Sequence, residues 1–177
     1  MALVAGGGVV MHQALMAPDY LTLAQPVVQV ITDDWFRLRK PWSYRWRHKG
    51  QWYRLRVAEG FEFDGASIPT IAHPFFGGRW SLGLAPPLAH DALYRCGGDL
   101  SRARFGTHPD ERSVRSGRYA WYERASGDGW EDVDWVWPRR DVDRLFGRHM
   151  REAGVARWRR RAAYLAVRAA GRWSWRD

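Results

Sequence analysis

The sequence places a histidine and an aspartate side by side, His90 and Asp91, within the segment AHDALYR. Adjacent residues of a helix point about 100° apart, so these two side chains can serve different partners. A histidine held by a carboxylate can remove a proton from water, because the acid fixes the ring tautomer and stabilises the imidazolium. We predict that His90 is such a base and that Asp143, in the segment RDVDRLF, orients it. Tyr94 lies one helical turn after His90, and its hydroxyl is predicted to support the Asp143 carboxylate.

Ligands for a hard cation are predicted beside this pair. Asp91 points away from His90 on the same helix, and Asp64 with Gly65 begins the loop DGAS. Carboxylates and backbone carbonyls are the ligands that Ca²⁺ prefers. We therefore predict a divalent cation, Ca²⁺ in preference to Zn²⁺, at Asp64, Asp91 and Gly65. A cation there would polarise a carbonyl or phosphoryl oxygen of a substrate.

Each of these residues also has an ordinary structural interpretation. An isolated His-Asp pair is common in proteins without catalytic activity, and Asp-Gly by itself is most often a turn. Asp141, two positions before Asp143, is an equally available acid. Ser67 is interpreted as a loop or cap residue, because ASIP lacks the strand-turn-helix context of a nucleophile elbow. The acids and the histidine could equally form a buried polar network.

The composition is strongly basic and rich in tryptophan. The 177 residues include 12 Trp, and 28 Lys+Arg against 19 Asp+Glu give a formal net charge of +9, with Lys at positions 40 and 49 alone. Arginine with Trp and Tyr suits phosphate groups, nucleic acid or the headgroup zone of a membrane. GC-rich codon usage gives the same enrichment without any partner, so both interpretations stay open. A single cysteine, Cys96, excludes an internal disulfide framework and a cysteine-rich zinc site.

The length and the N-terminal segment bound the domain organisation. No stretch reaches the roughly 20 apolar residues needed to span a bilayer, and the first residues, MALVAGGGVVMHQALMA, lack the basic region of a signal peptide. We expect residues 1–18 to be a loose arm. Residues 19–177 are then a single α+β domain, with an insertion at 97–138.

Alternating polarity predicts the strands that lead to the Asp64 loop. Runs of β-branched or aromatic residues that alternate with polar ones occur at 27–31, 35–39, 43–47 and 52–57. Trp42, Tyr44 and Trp46 predict an apolar face opposite a basic one. The segment His48–Gln51 predicts a tight hairpin connection, with Gly50 available for positive φ.

Helical periodicity and stop signals predict the rest of the fold. Helices are predicted at 86–96, 140–153 and 156–170. Between the first two, a basic loop from Asp99 and a hairpin around Gly127–Gly129 are expected. The fold class is α+β: a small antiparallel sheet in the N-terminal half, followed by about three helices that carry the His-Asp and Asp residues.

Four motifs occur in order along the chain: FEFDGASIP, AHDALYR, RDVDRLF and AYLAVRAAGRW. Together they resemble a phage- and prophage-linked family, the domain of unknown function 1353, over roughly Trp42 to Trp175. The resemblance implies a viral or prophage origin, a virion-associated or host-cytoplasmic location and other virion proteins as partners. It supplies no established activity.

The segment HDALY is also similar to the H-D-x-x-Y helix of phospholipases A2. Those enzymes pair the histidine with an Asp from an antiparallel helix, and they bind Ca²⁺ through the next Asp and a glycine-containing loop. The similarity implies His90 with Asp143 as the dyad, and Asp91 with the Asp64–Gly65 loop as the calcium site. The disulfide cysteines that flank this helix in the secreted enzymes are absent here.

Three function hypotheses result. The leading one is a phage-associated, metal-dependent hydrolase of an ester in a phospholipid or other envelope component, acting at an anionic membrane surface. The second is a non-catalytic virion, tail or assembly protein in which the same residues are a structural network. The third is a metal-dependent phosphoesterase or a protein of nucleic-acid chemistry, with which the net charge of +9 is compatible.

Overall fold

The computed structural model describes residues 23–33, 35–65, 82–106, 115–170 and 175, and every structural statement below refers to these. Their strands are β1 (Val28–Val30), β2 (Trp35–Leu38), β3 (Trp42–His48), β4 (Gln51–Val57), β5 (Glu62–Asp64), β6 (Ala120–Ser126) and β7 (Gly129–Val133). Their α-helices are α1 (Ala85–Tyr94), α2 (Arg139–Glu152) and α3 (Arg157–Ala170). The predicted α+β class is therefore confirmed. The predicted N-terminal arm, Ser67 and part of the basic loop, residues 107–114, lie outside the described residues.

The strands divide between two antiparallel sheets, one with the order β1-β2-β5 and one with the order β3-β4-β6-β7. In β3 the side chains of Trp42, Tyr44 and Trp46 are buried and those between them face outward, as the alternation predicts. The β3–β4 connection has positive φ at Lys49 (48°) and Gly50 (81°), which is the geometry of a tight primed turn. The expected second hairpin is also present, with a turn between β6 and β7. Because β6 pairs with β4, the segment 97–138 contributes the outer half of the larger sheet.

The core lies between the sheets and the helices and fixes the position of α1. Pro86 and Pro87 fit in the first turn of α1, where a missing N–H costs no helical hydrogen bond. Leu88 and Leu93 of α1 are fully buried, and each such side chain contributes roughly 1.5–3 kcal/mol through burial. They belong to one apolar cluster with Phe61, Phe63, Tyr119 and the buried aromatic residues of β3.

The helix α2 packs between α1 and α3, and α1 also contacts β5. Val142, Leu145, Phe146 and Met150 form the buried stripe of α2 that its periodicity predicts. This packing brings the end of β5, the middle of α1 and the first turns of α2 to one place. No helix in the described ranges combines the length and the apolar character needed to cross a membrane.

Candidate functional site

A buried carboxylate lies where the three helices meet. Asp143 of α2 has a side chain that is 0% exposed, and its Oδ1 accepts a hydrogen bond from the Tyr94 hydroxyl of α1. Arg168 of α3 donates from Nη1 to Oδ2 at 2.8 Å. Arg139, one turn earlier on α2, places its Nε 3.9 Å from the same oxygen. The Asp143 carboxylate is therefore held by a donor or cation from each of the three helices.

The imidazole of His90 lies against this carboxylate. Its Nε2 is 3.7 Å from Oδ1 of Asp143, which is longer than a hydrogen bond, and its side chain is 12% exposed. The ring packs against Tyr94 and Phe146, with centroid distances of 3.9 and 4.8 Å. Nε2 is buried and has no hydrogen-bond partner among the described residues, so the ring would have to move toward Oδ1 to form a hydrogen bond. Because Nε2 faces the carboxylate, Nδ1 is the nitrogen left to accept a proton from water.

Electrostatics favour a neutral His90 ring beside an ionised Asp143 carboxylate. Burial lowers the pKa of His90 below its ordinary value, although Asp143 opposes the shift, so the ring is neutral at pH 7. Burial alone would raise the pKa of Asp143, but His90, Arg168 and Tyr94 more than offset it and lower that pKa to about 2. Burial and the adjacent Asp143 raise the pKa of Tyr94, which keeps its hydroxyl a donor.

Two further carboxylates meet where β5 ends beside α1. Oδ2 of Asp91 accepts a hydrogen bond of 3.1 Å from the backbone N–H of Asp64, and it lies 3.5 Å from Nη2 of Arg95. Burial and the nearby Asp64 carboxylate raise the pKa of Asp91 well above its ordinary value, and Arg95 opposes this only in part. A divalent cation at the two carboxylates would relieve both causes of the shift.

Gly65 follows Asp64 at a point where no side chain fits. A Cβ added to Gly65 would lie 2.5 Å from Cε2 of the Phe36 ring, so the backbone here approaches the core directly. Within the described part of the chain, no group of three or more His, Cys, Asp or Glu side chains is arranged to hold a metal ion. Asp64 and Asp91 could supply two oxygen ligands to a cation and the backbone carbonyl of Gly65 a third, which is fewer than the six to eight that Ca²⁺ takes.

The structure brings His90, Tyr94 and Asp143 together, and it separately brings Asp64 to Asp91. The rival acid Asp141 lies on the outer side of α2, where it pairs with Arg144 at 2.9 Å.

Two arginines hold Asp143 that are not among the residues predicted from the sequence. Arg139 precedes Asp143 by four residues on the same helix, which is ion-pair spacing. Arg168 lies within AYLAVR, one of the motifs that carry the family resemblance. The spacing could have identified Arg139 as a partner of Asp143, whereas the motif singles out Arg168 without indicating which residue it contacts.

The fold and the site together define a small α+β protein with a histidine–carboxylate centre at the junction of three helices. Comparison with protein families gives a match over residues 36–167 to the family described as protein of unknown function (DUF1353). This match covers most of the chain, and the chain belongs to that family. No curated protein and no solved structure matches it.

Proposed function

We propose that this protein is a hydrolase in which His90 removes a proton from water and Asp143 holds the ring and stabilises its protonated form. The observation that carries the proposal is geometric: Nε2 of the largely buried His90 lies 3.7 Å from Oδ1 of the fully buried Asp143 carboxylate. The lowered pKa of each group supports a neutral ring beside an ionised acid. As His90 gains a proton, the new positive charge lies next to the negative charge of Asp143, which lowers the barrier to proton transfer. Tyr94 keeps the Asp143 oxygen oriented through its hydrogen bond.

The proposal includes a divalent cation, Ca²⁺ in preference to Zn²⁺, at Asp64, Asp91 and the backbone carbonyl of Gly65. The paired carboxylates and the raised pKa of Asp91 support it. A cation bound there would polarise the carbonyl under attack. Arg95 already supplies one positive charge to Asp91, and its guanidinium is fixed over the Phe61 ring at 4.9 Å.

The proposed substrate is an ester of a phospholipid or other envelope component, with an anionic membrane surface as partner. Trp158 and Leu165 of α3 are 55% and 57% exposed. They are seven residues apart and so lie on one side of the helix, with Arg161 near the same side. Exposed apolar side chains beside arginines are typical of helices that bind anionic lipid surfaces. The similarity of HDALY to the phospholipase A2 helix supports the same substrate class. The proposal also includes a phage origin and a location in the virion or the host cytoplasm.

One observation favours a second candidate, a non-catalytic virion or assembly protein. Asp143 is sealed from solvent, and its bonds to Tyr94 and Arg168 tie α1 and α3 to α2. A saturated polar network of this kind can specify how helices pack without any chemistry.

Thermal unfolding in Ca²⁺, Zn²⁺ or EDTA, together with fatty-acid release from anionic phospholipid vesicles, tests the proposal. We expect Ca²⁺ to stabilise the protein, by about 2.7 kcal/mol at a hundredfold excess over Kd, and to support hydrolysis. Asp91→Asn should lose both effects, whereas Asp141→Asn, on the outer side of α2, should keep both. If no metal stabilises the protein and no ester is cleaved, the structural candidate is correct. Cleavage of a phosphodiester instead of a carboxylic ester would identify a phosphoesterase.

A further inference from the structure

An open pocket of about 390 Å³ lies between α2 and α3. It is lined by Arg144, Gly147, Arg148, Arg151 and Arg160. Of the described residues that contact Asp143, none lines this pocket. The pocket is therefore a feature separate from the His90 site, although α2 contributes to both.

The sequence of α2 builds one side of this pocket. Arg144, Arg148 and Arg151 are spaced four and then three residues apart, which places them on one side of the helix. Gly147 lies among them, although glycine inside a helix costs about 1 kcal/mol relative to alanine. A Cβ added to Gly147 would meet the Tyr164 ring at 3.8 Å, an ordinary contact, so helix packing does not demand glycine here. The absence of a side chain at Gly147 leaves the floor of the pocket open between the arginines.

The pocket carries more positive than negative charge. Arg144 pairs with Asp141 and Arg148 pairs with Glu152, each at 2.9 Å. In the described ranges, Arg151 and Arg160 have no ion pair with an acidic side chain. Four guanidinium groups against two carboxylates leave two positive charges in excess. Like charges that converge on one concave surface repel one another unless an anion joins them.

The geometry favours one compact anion over an extended polyanion. Three arginines of α2 and Arg160 of α3 line this one concavity, so the positive charge comes from two helices and is confined to a small volume. A guanidinium group is planar and matches two oxygens of a phosphate, so arginine is the usual residue for phosphate recognition. A phosphate monoester carries between one and two negative charges at neutral pH, which suits the excess charge of the pocket.

We infer that this pocket binds a single phosphate group, presented either by an anionic lipid headgroup or by a small phosphorylated molecule. Arg151 and Arg160 supply the charge that acidic neighbours do not neutralise, and Arg144 and Arg148 surround the phosphate from α2. The site is independent of hydrolysis at His90, since binding needs neither the dyad nor a metal.

Calorimetric titration with inorganic phosphate, at an ionic strength held constant with chloride, tests the inference on the full chain. Wild-type protein should bind one phosphate in a saturable manner. Arg151→Gln and Arg160→Gln should each weaken binding by roughly tenfold or more, because each removes a charge-assisted hydrogen bond. Arg157→Gln is the matched control, since it removes the same charge from an exposed position of the same helix that does not line the pocket. Equal weakening by Arg157→Gln, or a response that never saturates, would overturn the inference.

Vesicle cosedimentation separates the two sources of phosphate. Binding to vesicles that contain a phosphate-monoester lipid, competed by free phosphate and lost in Arg160→Gln, assigns the site to a lipid headgroup. Saturable binding of free phosphate with vesicle binding unchanged in Arg160→Gln assigns it to a small molecule. A short DNA duplex is the third arm. Salt-dependent binding of the duplex that Arg160→Gln abolishes, without saturable binding of free phosphate, would overturn the inference in favour of a nucleic-acid surface.

Discussion

Two histidines in the helical part of the molecule, His90 and His149, have opposite surroundings. The side chain of His149 is fully buried and packs edge-on against Tyr44 at 4.2 Å, and neither ring nitrogen has a hydrogen-bond partner among the described residues. The side chain of His90 is 12% exposed, and its Nε2, although also without a hydrogen-bond partner among the described residues, lies 3.7 Å from the carboxylate of Asp143. Burial lowers the pKa of both rings, to about 3 for His149, so both are neutral at pH 7.

The difference lies in what stabilises the protonated ring. Among the described residues no acidic side chain offsets the charge of a protonated His149, and Arg148 and the nearby His90 disfavour that charge further. Protonated His90 would lie 3.7 Å from a carboxylate. A buried histidine without an acidic neighbour is therefore most simply a core residue. A histidine with an adjacent acid and access to solvent is a candidate base.

The largest effect is expected from Asp143→Asn. Loss of the carboxylate leaves Arg168 and Arg139 without their shared anion and removes the group that stabilises protonated His90. We expect hydrolysis to fall by about 10⁴-fold and the free energy of unfolding to fall by about 3 kcal/mol. Initial rates and urea unfolding measure the two effects. The control Asp141→Asn should change stability by less than about 1 kcal/mol, because its ion pair is at the surface. Full activity in Asp143→Asn would show that Asp143 does not orient the base.

A smaller effect is expected from Tyr94→Phe, which removes only the hydroxyl that holds Asp143. The free energy of unfolding should fall by about 1.5 kcal/mol and the hydrolysis rate by roughly tenfold. Tyr119→Phe is the matched control, since its hydroxyl donates to the backbone oxygen of Ala92 on the same helix at 3.2 Å. The Tyr119→Phe variant should have a lower free energy of unfolding and an unchanged hydrolysis rate. Equal loss of activity in both variants would assign the effect to the position of α1 as a whole.

The smallest effect is expected from His149→Leu. At pH 8 the free energy of unfolding should change by less than about 1.5 kcal/mol and activity should not change, because an apolar residue replaces a ring without hydrogen bonds. The pH dependence of the free energy of unfolding should change. The unfolded chain protonates His149 as pH falls below about 6.5, whereas the folded protein resists until about pH 3. Wild-type stability is therefore lost with falling pH in that window, by up to ~1.4 kcal/mol per pH unit for this group.

Urea unfolding at pH 8, 6 and 5 measures this slope. His149→Leu should have a smaller slope than the wild type, but not zero, because burial also lowers the pKa of His90. An unchanged slope would show that His149 is protonated alike in the folded and unfolded chains.

The local parts of the fold could be predicted from the sequence because they depend on neighbouring residues. Alternation in β3 and the Lys49–Gly50 turn specify a hairpin without reference to the rest of the chain. The stripe Val142–Met150 likewise specifies the buried side of α2. The division into two sheets could not be predicted in this way. Pairings such as Leu55 with Tyr122 depend on contacts between distant segments.

The residues of the candidate site also divide into those that local patterns predict and those that depend on contacts between distant segments. His90 and Tyr94 could be paired from helical spacing alone, but Asp143 and Asp141 were equivalent acids in the sequence. Packing separates them, because Asp143 points into the junction of the helices and Asp141 points to Arg144 on the surface. Arg168 completes the site from α3, and no local pattern indicates which residue it contacts. The catalytic role of these residues stays a prediction.

Ester hydrolysis by His90→Gln, measured against pH beside wild type and His149→Leu, tests most directly whether His90 is the base. We expect His90→Gln to lose about a thousandfold in rate while it remains folded, and His149→Leu to match the wild type. The wild-type rate should persist below pH 6.5, because burial lowers the pKa of His90. A folded His90→Gln protein that cleaves the ester at the wild-type rate would contradict the assignment of His90 as the base.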